Sequence, residues 1–221
     1  MFWDWNFTAE ILPLLAQASL VTLAATVLGF GIAITLGLAF AIGRMYGPGW
    51  LSLPLAGLIE FIRSTPLLIQ IFFVYFVFPE IGITLGAMTA GVLALGVHYA
   101  TYCSEVYRAG LANVPRGQWE ASTALNLSPY HTFRDVIIPQ AIPPVVPALG
   151  NYLVALFKDT PLLSAIAVLE LMQTAKIIGS DNFRYTEPIT MVGVIFLLFS
   201  LVAAGLIRLV ESRLGRRIIR P

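Results

Sequence analysis

Charged positions in this chain fall in short intervals, and the stretches between them are long and apolar. Ile11–Gly43 runs 33 residues without a charge, Ser64–Pro79 runs 16, Ile81–Ser104 runs 24, Val136–Phe157 runs 22 and Pro188–Ile207 runs 20. A helix needs about 20 apolar residues to cross the hydrocarbon core. The pattern predicts an all-α integral membrane protein, one domain over 1–221, with five transmembrane helices. The spans fall at about 17–43, 56–79, 85–108, 140–171 and 188–210. The first apolar run exceeds one span, so its front, with Trp3, Trp5 and Phe7, is expected to be an interfacial segment anchored by aromatics.

Composition agrees. Hydrophobic residues make up 58% and charged residues 11% of 221, and mean hydropathy is +0.84. A net charge of +1 gives no basis for nucleic-acid binding. The single Cys103 excludes an internal disulfide and reads as packing. Met1–Glu10 holds two acids and no Lys or Arg, so no cleaved signal is expected there. With the N-terminus outside, the inner side would hold Arg44, Arg108, Arg116, Arg134, Arg208, Arg213, Arg216, Arg217 and Arg220, the outer side only Lys176 and Arg184. The positive-inside rule then places the C-terminus and the loop 109–139 in the cytoplasm. Gly29, Ala33, Gly37 and Ala41 recur every four residues, a face for close helix packing, within the chain or between subunits.

The loop 109–139 is the one long polar interruption. Asn113-Val114-Pro115 reads as a helix start, Asn126 as a left-handed stop, and Ser128-Pro129 as the start of a second short helix, with Pro139 opening the next span. Glu120 complements the positive end of the first helix. A helix–turn–helix on the membrane surface suits docking to a soluble partner better than a bare connector.

Four positions carry ionisable side chains in or near spans and are candidates for solute contact: Arg63, Glu105, Lys158 and Asp159. Thr160 joins them, because Pro161 lacks an N–H and frees the Phe157 carbonyl at the same place. Cation, anion and hydroxyl together suit a zwitterion; the alternative is a self-contained ion pair. Glu60–Arg63 and Glu105–Arg108 have the spacing of local helix pairs. No phosphate loop is present and the only lysines are Lys158 and Lys176, so the chain would not hydrolyse ATP. His98 and His131 lie far apart along the chain and make no metal pair; no catalytic grouping and no metal site are expected.

The segment Glu120-Ala121-Ser122, Asn126, Val136, Ile138-Pro139 resembles the Glu-Ala-Ala signature of ABC importer permeases, with Asn126 where the signature has Gly. Residues 63–70 (RSTPLLIQ), 102–110 (YCSEVYRAG), 115–121 (PRGQWEA), 139–141 (PQA) and 158–164 (KDTPLLS) are similar to the polar amino acid permeases, the histidine and glutamine importer group. Within it the likeness extends to ectoine and hydroxyectoine permeases, through Trp3-Asp4-Trp5 and the stretch 180–188. The resemblance implies a type I ABC importer permease fold in a bacterial inner membrane, with a cytoplasmic coupling helix. Arg116, Gly117, Glu120, Ala121, Ser122 and Asn126 would meet a separate ATPase dimer that binds ATP and magnesium, leaving this chain without a cofactor. A second permease subunit and an extracytoplasmic substrate-binding protein would complete the assembly, the latter meeting outer loops 79–82 and 179–187. The solute would be ectoine-like or a polar amino acid. An ion-gradient carrier of a similar solute is the alternative, which would require an inverted repeat.

Overall fold

In the computed structural model, residues 3–218 are described, with side chains through Arg213; Arg216, Arg217 and Arg220, counted above for orientation, lie outside the described side chains. Eight helices follow in order. α1 is Trp5–Tyr46 and α2 Gly49–Arg63. α3, Leu67–Ile81, ends in a π-helical and a 3-10 turn. α4 is Ala87–Ala112, α5 Arg116–Ala124 and α6 Pro129–Ile166. α7 is Leu171–Asp181 and α8 Thr186–Ile218.

α1 is one helix of 42 residues, about 63 Å long and twice the hydrocarbon thickness. The front expected as an interfacial segment is helical and continuous with the first span. Asp4 caps it, its Oδ1 accepting from Asn6 N at 3.0 Å and Phe7 N at 3.2 Å. The front then buries Ile11, Leu15 and Ala18 against Leu171, Ala175 and Ile178 of α7 and Val192 of α8. The stripe continues through Thr22, Ala25, Gly29, Ala33, Gly37 and Ala41, the helical period of a single face. Its partner is α4, and among the described residues no other helix pair is as extensive. A Cβ on Gly37 would stand 2.7 Å from Cys103 Cβ and 2.8 Å from Ala100 O, and one on Gly96 2.6 Å from Ile32 Cβ. The small-residue stripe therefore serves packing within the chain.

The second predicted span is broken. α2 and α3 meet at 105°, because Pro66 has no N–H to continue the ladder and favours an extended Thr65. Gln70 repairs the elbow: its Nε2 donates to Ile62 O at 2.7 Å and Thr65 O at 3.1 Å. The fourth predicted span is displaced. Helix begins at Pro129 inside the loop, passes through a π-helical turn at Thr132–Ile137, and ends at Ile166. The second short helix expected at Ser128-Pro129 is thus the first turn of α6, capped as anticipated by Ser128, whose Oγ accepts from His131 N. Ala167, left-handed at φ 58°, reverses the chain, and Glu170 caps α7.

Among the described residues three helices, Trp5–Tyr46, Pro129–Ile166 and Thr186–Arg213, are long and apolar enough to cross a membrane, and α2 and α3 reach that length only when taken together across their bend; these are three or four spans where five were expected. α4 runs beside α1 near the third predicted span, with its polar face turned into the protein at His98, Thr101 and Ser104.

Candidate functional site

Two places gather the candidate residues. One lies where the α2–α3 elbow meets α4 and the far end of α6. Tyr99, Tyr102 and Tyr152 form a cluster there, with ring centroids 5.5 Å apart for Tyr102–Tyr152 and 6.4 Å for Tyr99–Tyr152. Tyr99 and Tyr102 share a face of α4 because three residues make nearly one turn. Arg63, at the elbow, sets its guanidinium 5.2 Å from the Tyr102 ring centroid. Such a contact is attractive because the ring face is electron-rich. The expected Glu60–Arg63 ion pair is not among those formed by the described residues; the bend after Arg63 turns that side chain toward α4 instead. Gln70 spends its N–H groups on the elbow, so its carbonyl is the acceptor for His98 Nδ1 at 3.1 Å.

Asp159 closes the cluster: its Oδ2 accepts from the Tyr99 hydroxyl at 2.6 Å. Lys158 does not join it. Neighbours on a helix point about 100° apart, and Lys158 lines a separate cavity of about 290 Å³ with Pro161, Phe196, Leu197 and Ser200. The reading of Lys158 and Asp159 as one self-contained pair is overturned by that divergence. Thr160 is 0% exposed, and its hydroxyl donates to the Phe157 carbonyl at 2.7 Å, the group that Pro161 leaves free. Its hydroxyl therefore finishes the helix rather than facing a cavity. Glu105 is placed elsewhere, toward the loop end of α4, and is held by Arg108 one turn on and by Arg44 of α1.

The second place is α5. Asn113 ends α4 rather than starting α5, whose N-terminal flanking residue is Pro115. The extended backbone imposed before Pro115 separates the two helices. Asn126 has φ 53° and closes α5 in a left-handed turn, with Leu127 N donating to Ser122 O at 3.0 Å and Asn126 N to Thr123 O at 2.9 Å. Asn tolerates that conformation. Trp119 seats the helix on α6, its ring 5.3 Å from Phe133, which also meets Tyr46 at 5.8 Å. Arg116, Gly117, Glu120, Ala121 and Asn126 are exposed. Ser122 is 2% exposed and donates to Gln118 O, so it faces the protein.

Sequence reasoning missed Tyr99, Tyr102, Tyr152 and Gln70, and Arg44 as the clamp on Glu105. The tyrosine spacing in HYATY was a usable signal; Tyr152 and Gln70 arrive only through the elbow and the crossing of α4 with α6. Glu170 was missed as well. It is 0% exposed, with Oε2 accepting from Met172 N at 2.9 Å and Oε1 from Gln173 N at 2.7 Å.

A bent helix pair, a polar aromatic cluster on an apolar bundle and an exposed helix at one end suit a component of a membrane transport path. Residues 31–216 match the family described as "Binding-protein-dependent transport system inner membrane component". The chain belongs to that family: a multi-pass inner-membrane ABC permease subunit of the type I fold, without a cofactor of its own, whose ATP is handled by a separate ATPase subunit. The ion-gradient carrier finds no support beside that membership.

The chain is 49% identical over 96% of its length, and 91% of the relative's, to "Probable amino-acid ABC transporter permease protein y4tG" of Sinorhizobium fredii. To the glutamine transport system permease protein GlnP of Escherichia coli K12 it is 34% identical, over 97% and 99% of the two chains. A crystal structure of an amino acid ABC transporter with histidines superposes at a TM-score of 0.91 and 35% identity, covering 96% of this chain and 100% of the other.

Proposed function

We propose that this chain is the membrane subunit of an ATP-driven importer for a small zwitterionic solute, a polar amino acid or an ectoine. The observation that carries the reading is the cluster itself. Arg63, exposed at the elbow, offers a cation without a carboxylate partner among the described residues, the half-buried Asp159 an anion, and three tyrosines their faces, in one place on an apolar bundle. A zwitterion crossing hydrocarbon needs both charges met, since an unmet charge there costs several kcal/mol, about 3 or more. Arg63 would hold the solute carboxylate and Asp159, with the tyrosine faces, its cationic end. Glu105 and Lys158, set apart from the cluster, would meet the solute only outside it, and Thr160 would act by finishing the helix that carries Asp159. The names of the relatives favour an amino acid; the likeness in 180–188 favours ectoine or hydroxyectoine.

Energy would enter through α5. Its exposed Arg116, Gly117, Glu120, Ala121 and Asn126 would dock on an ATPase dimer, with Ser122 supporting them from beneath. Trp119 and Phe133 tie α5 to α6, so motion of the docked helix reaches Asp159 along one continuous element. A second permease subunit, identical or homologous, would complete the path. A substrate-binding protein would meet the opposite face, with the N-terminus outside and the C-terminus in the cytoplasm.

Uptake of labelled glutamine, histidine and ectoine into proteoliposomes holding this chain and its partners, with and without ATP, tests the proposal. ATP-dependent accumulation of one of them, lowered by Arg63→Gln or Asp159→Asn with assembly intact, is expected. Uptake driven by an ion gradient without ATP would refute it.

A further inference from the structure

Among the described residues three besides glycine have positive φ: Asn126, Ala167 and Phe183. Each ends a helix in the same turn, its N–H donating to the carbonyl three residues back and the next N–H to the carbonyl five back from itself. Phe183 is set apart by its bulk. At φ 52° its Cβ crowds its own backbone, a strain that Gly would avoid, and burial returns nothing because the residue is 88% exposed. Strain of this kind persists only where the surroundings over-determine it.

The surroundings are rigid. Arg184 N donates to Gly179 O at 2.9 Å and Asn182 N to Ile178 O at 3.2 Å, closing the end of α7. Asn182 Nδ2 adds a bond to Ile178 O at 2.9 Å. Gly179 lies beneath the Tyr185 ring, where a Cβ would be 2.4 Å from Cδ1. Arg184 then ties the turn to Asp4 and Glu187 and covers the Phe7 ring at 4.7 Å. The turn lies at the Asp4 end of α1, while the loop with α5 lies at the Tyr46 end, 42 residues along one helix.

We infer that Phe183 is a docking anchor, inserted into an apolar pocket of a soluble protein on the face opposite α5. This rests on the importer reading and names the residue through which the solute-delivering partner would engage. The rim distinguishes protein from lipid. Ser180, Asp181 and Asn182 beside it are exposed and polar, and Asp181 has no ion pair among the described residues. Ser180, Asp181 and Asn182 resist entry into a bilayer on one side of Phe183, the exposed Tyr185 lies on the other, and Phe lacks the polar handle that keeps Trp and Tyr at the headgroups. One buried aromatic ringed by polar groups is the common form of an interface hot spot. The receiving pocket is therefore apolar and edged by Lys or Arg that meets Asp181.

The test uses the reconstituted importer with its substrate-binding protein titrated in, reading ATPase stimulation. Phe183→Gly removes ring and strain together. Its half-saturating concentration of binding protein should rise about tenfold or more, while basal ATPase holds and thermal stability holds or rises. Asp181→Lys should raise the same concentration. Phe183→Cys carrying an environment-sensitive dye gives a second readout, Cys103 being buried. The dye should be water-exposed in the importer alone and shielded once binding protein is added. Strong quenching by spin-labelled lipid, or shielding before addition, overturns the anchor, as does a Phe183→Gly titration matching wild type. A wild-type importer without saturable dependence on binding protein brings down the importer reading, and the anchor with it.

Discussion

Gly37→Ala tests the packing on which the rest of the bundle depends. A Cβ at this position would lie 2.7 Å from Cys103 Cβ and 2.8 Å from Ala100 O, against 3.4 Å for the near edge of ordinary contact. Neither neighbour is the loose end of a side chain: one is a Cβ and the other a backbone oxygen. α1 and α4 must separate by about 0.7 Å, and rigid helices carry that separation to Ala33, Ala41 and the Gly96–Ile32 contact. Overpacking of this kind costs about 1–3 kcal/mol. Gly31→Ala, on the same helix with nothing within 4 Å of its Cβ, is the control. It should leave stability unchanged or raise it by up to about 1 kcal/mol through helix propensity. Thermal unfolding of both variants in detergent, read by tryptophan fluorescence, separates them. Cys103→Gly should rescue Gly37→Ala only in part, because the Ala100 carbonyl remains. Equal midpoints for Gly37→Ala and Gly31→Ala would refute the close packing of α1 on α4.

Asn126→Val forces a β-branched residue to φ 53°, costing about 1–2 kcal/mol at the end of α5; coupled ATP hydrolysis should fall while Asn126→Gly retains it, and equal coupling in the two would sink the turn's role. Glu170→Ala leaves two N–H groups of α7 without their carboxylate, at about 1–3 kcal/mol, and Glu170→Gln, which keeps one oxygen, should cost less; a melting series with the reverse order would contradict the cap. Asp4 accepts from the Phe7 N–H and beside it bonds Arg184, both holding its carboxyl below its ordinary 3.8. A depressed carboxylate stabilises the fold fully above that ordinary value and loses the effect as pH falls through the lower, folded one. The midpoint gap between wild type and Asp4→Asn should therefore be constant near neutrality and close below about pH 4; a gap that widens on acidification would reverse the assignment.

Apolar runs and small-residue spacing declared a helical membrane protein, because hydrocarbon admits backbone only when its own hydrogen bonds are closed. Gly37 and Ala33 revealed a packing face, since residues four apart must share one. Asn126 was legible as a left-handed stop from its side chain alone. The tertiary structure decided what the charges do. Whether Lys158 and Asp159 act together depends on what flanks α6, and α4 takes one while the cavity beside α8 takes the other. Glu105 had a local partner in sequence, but Arg44 reaches it only because α1 lies along α4. The break at Pro66 could be suspected from its chemistry, yet only a 105° elbow brings Arg63 over Tyr102. Local propensities are written in neighbouring residues; a site assembled across the α2–α3 elbow, α4 and α6 depends on crossing angles that no short stretch of chain contains.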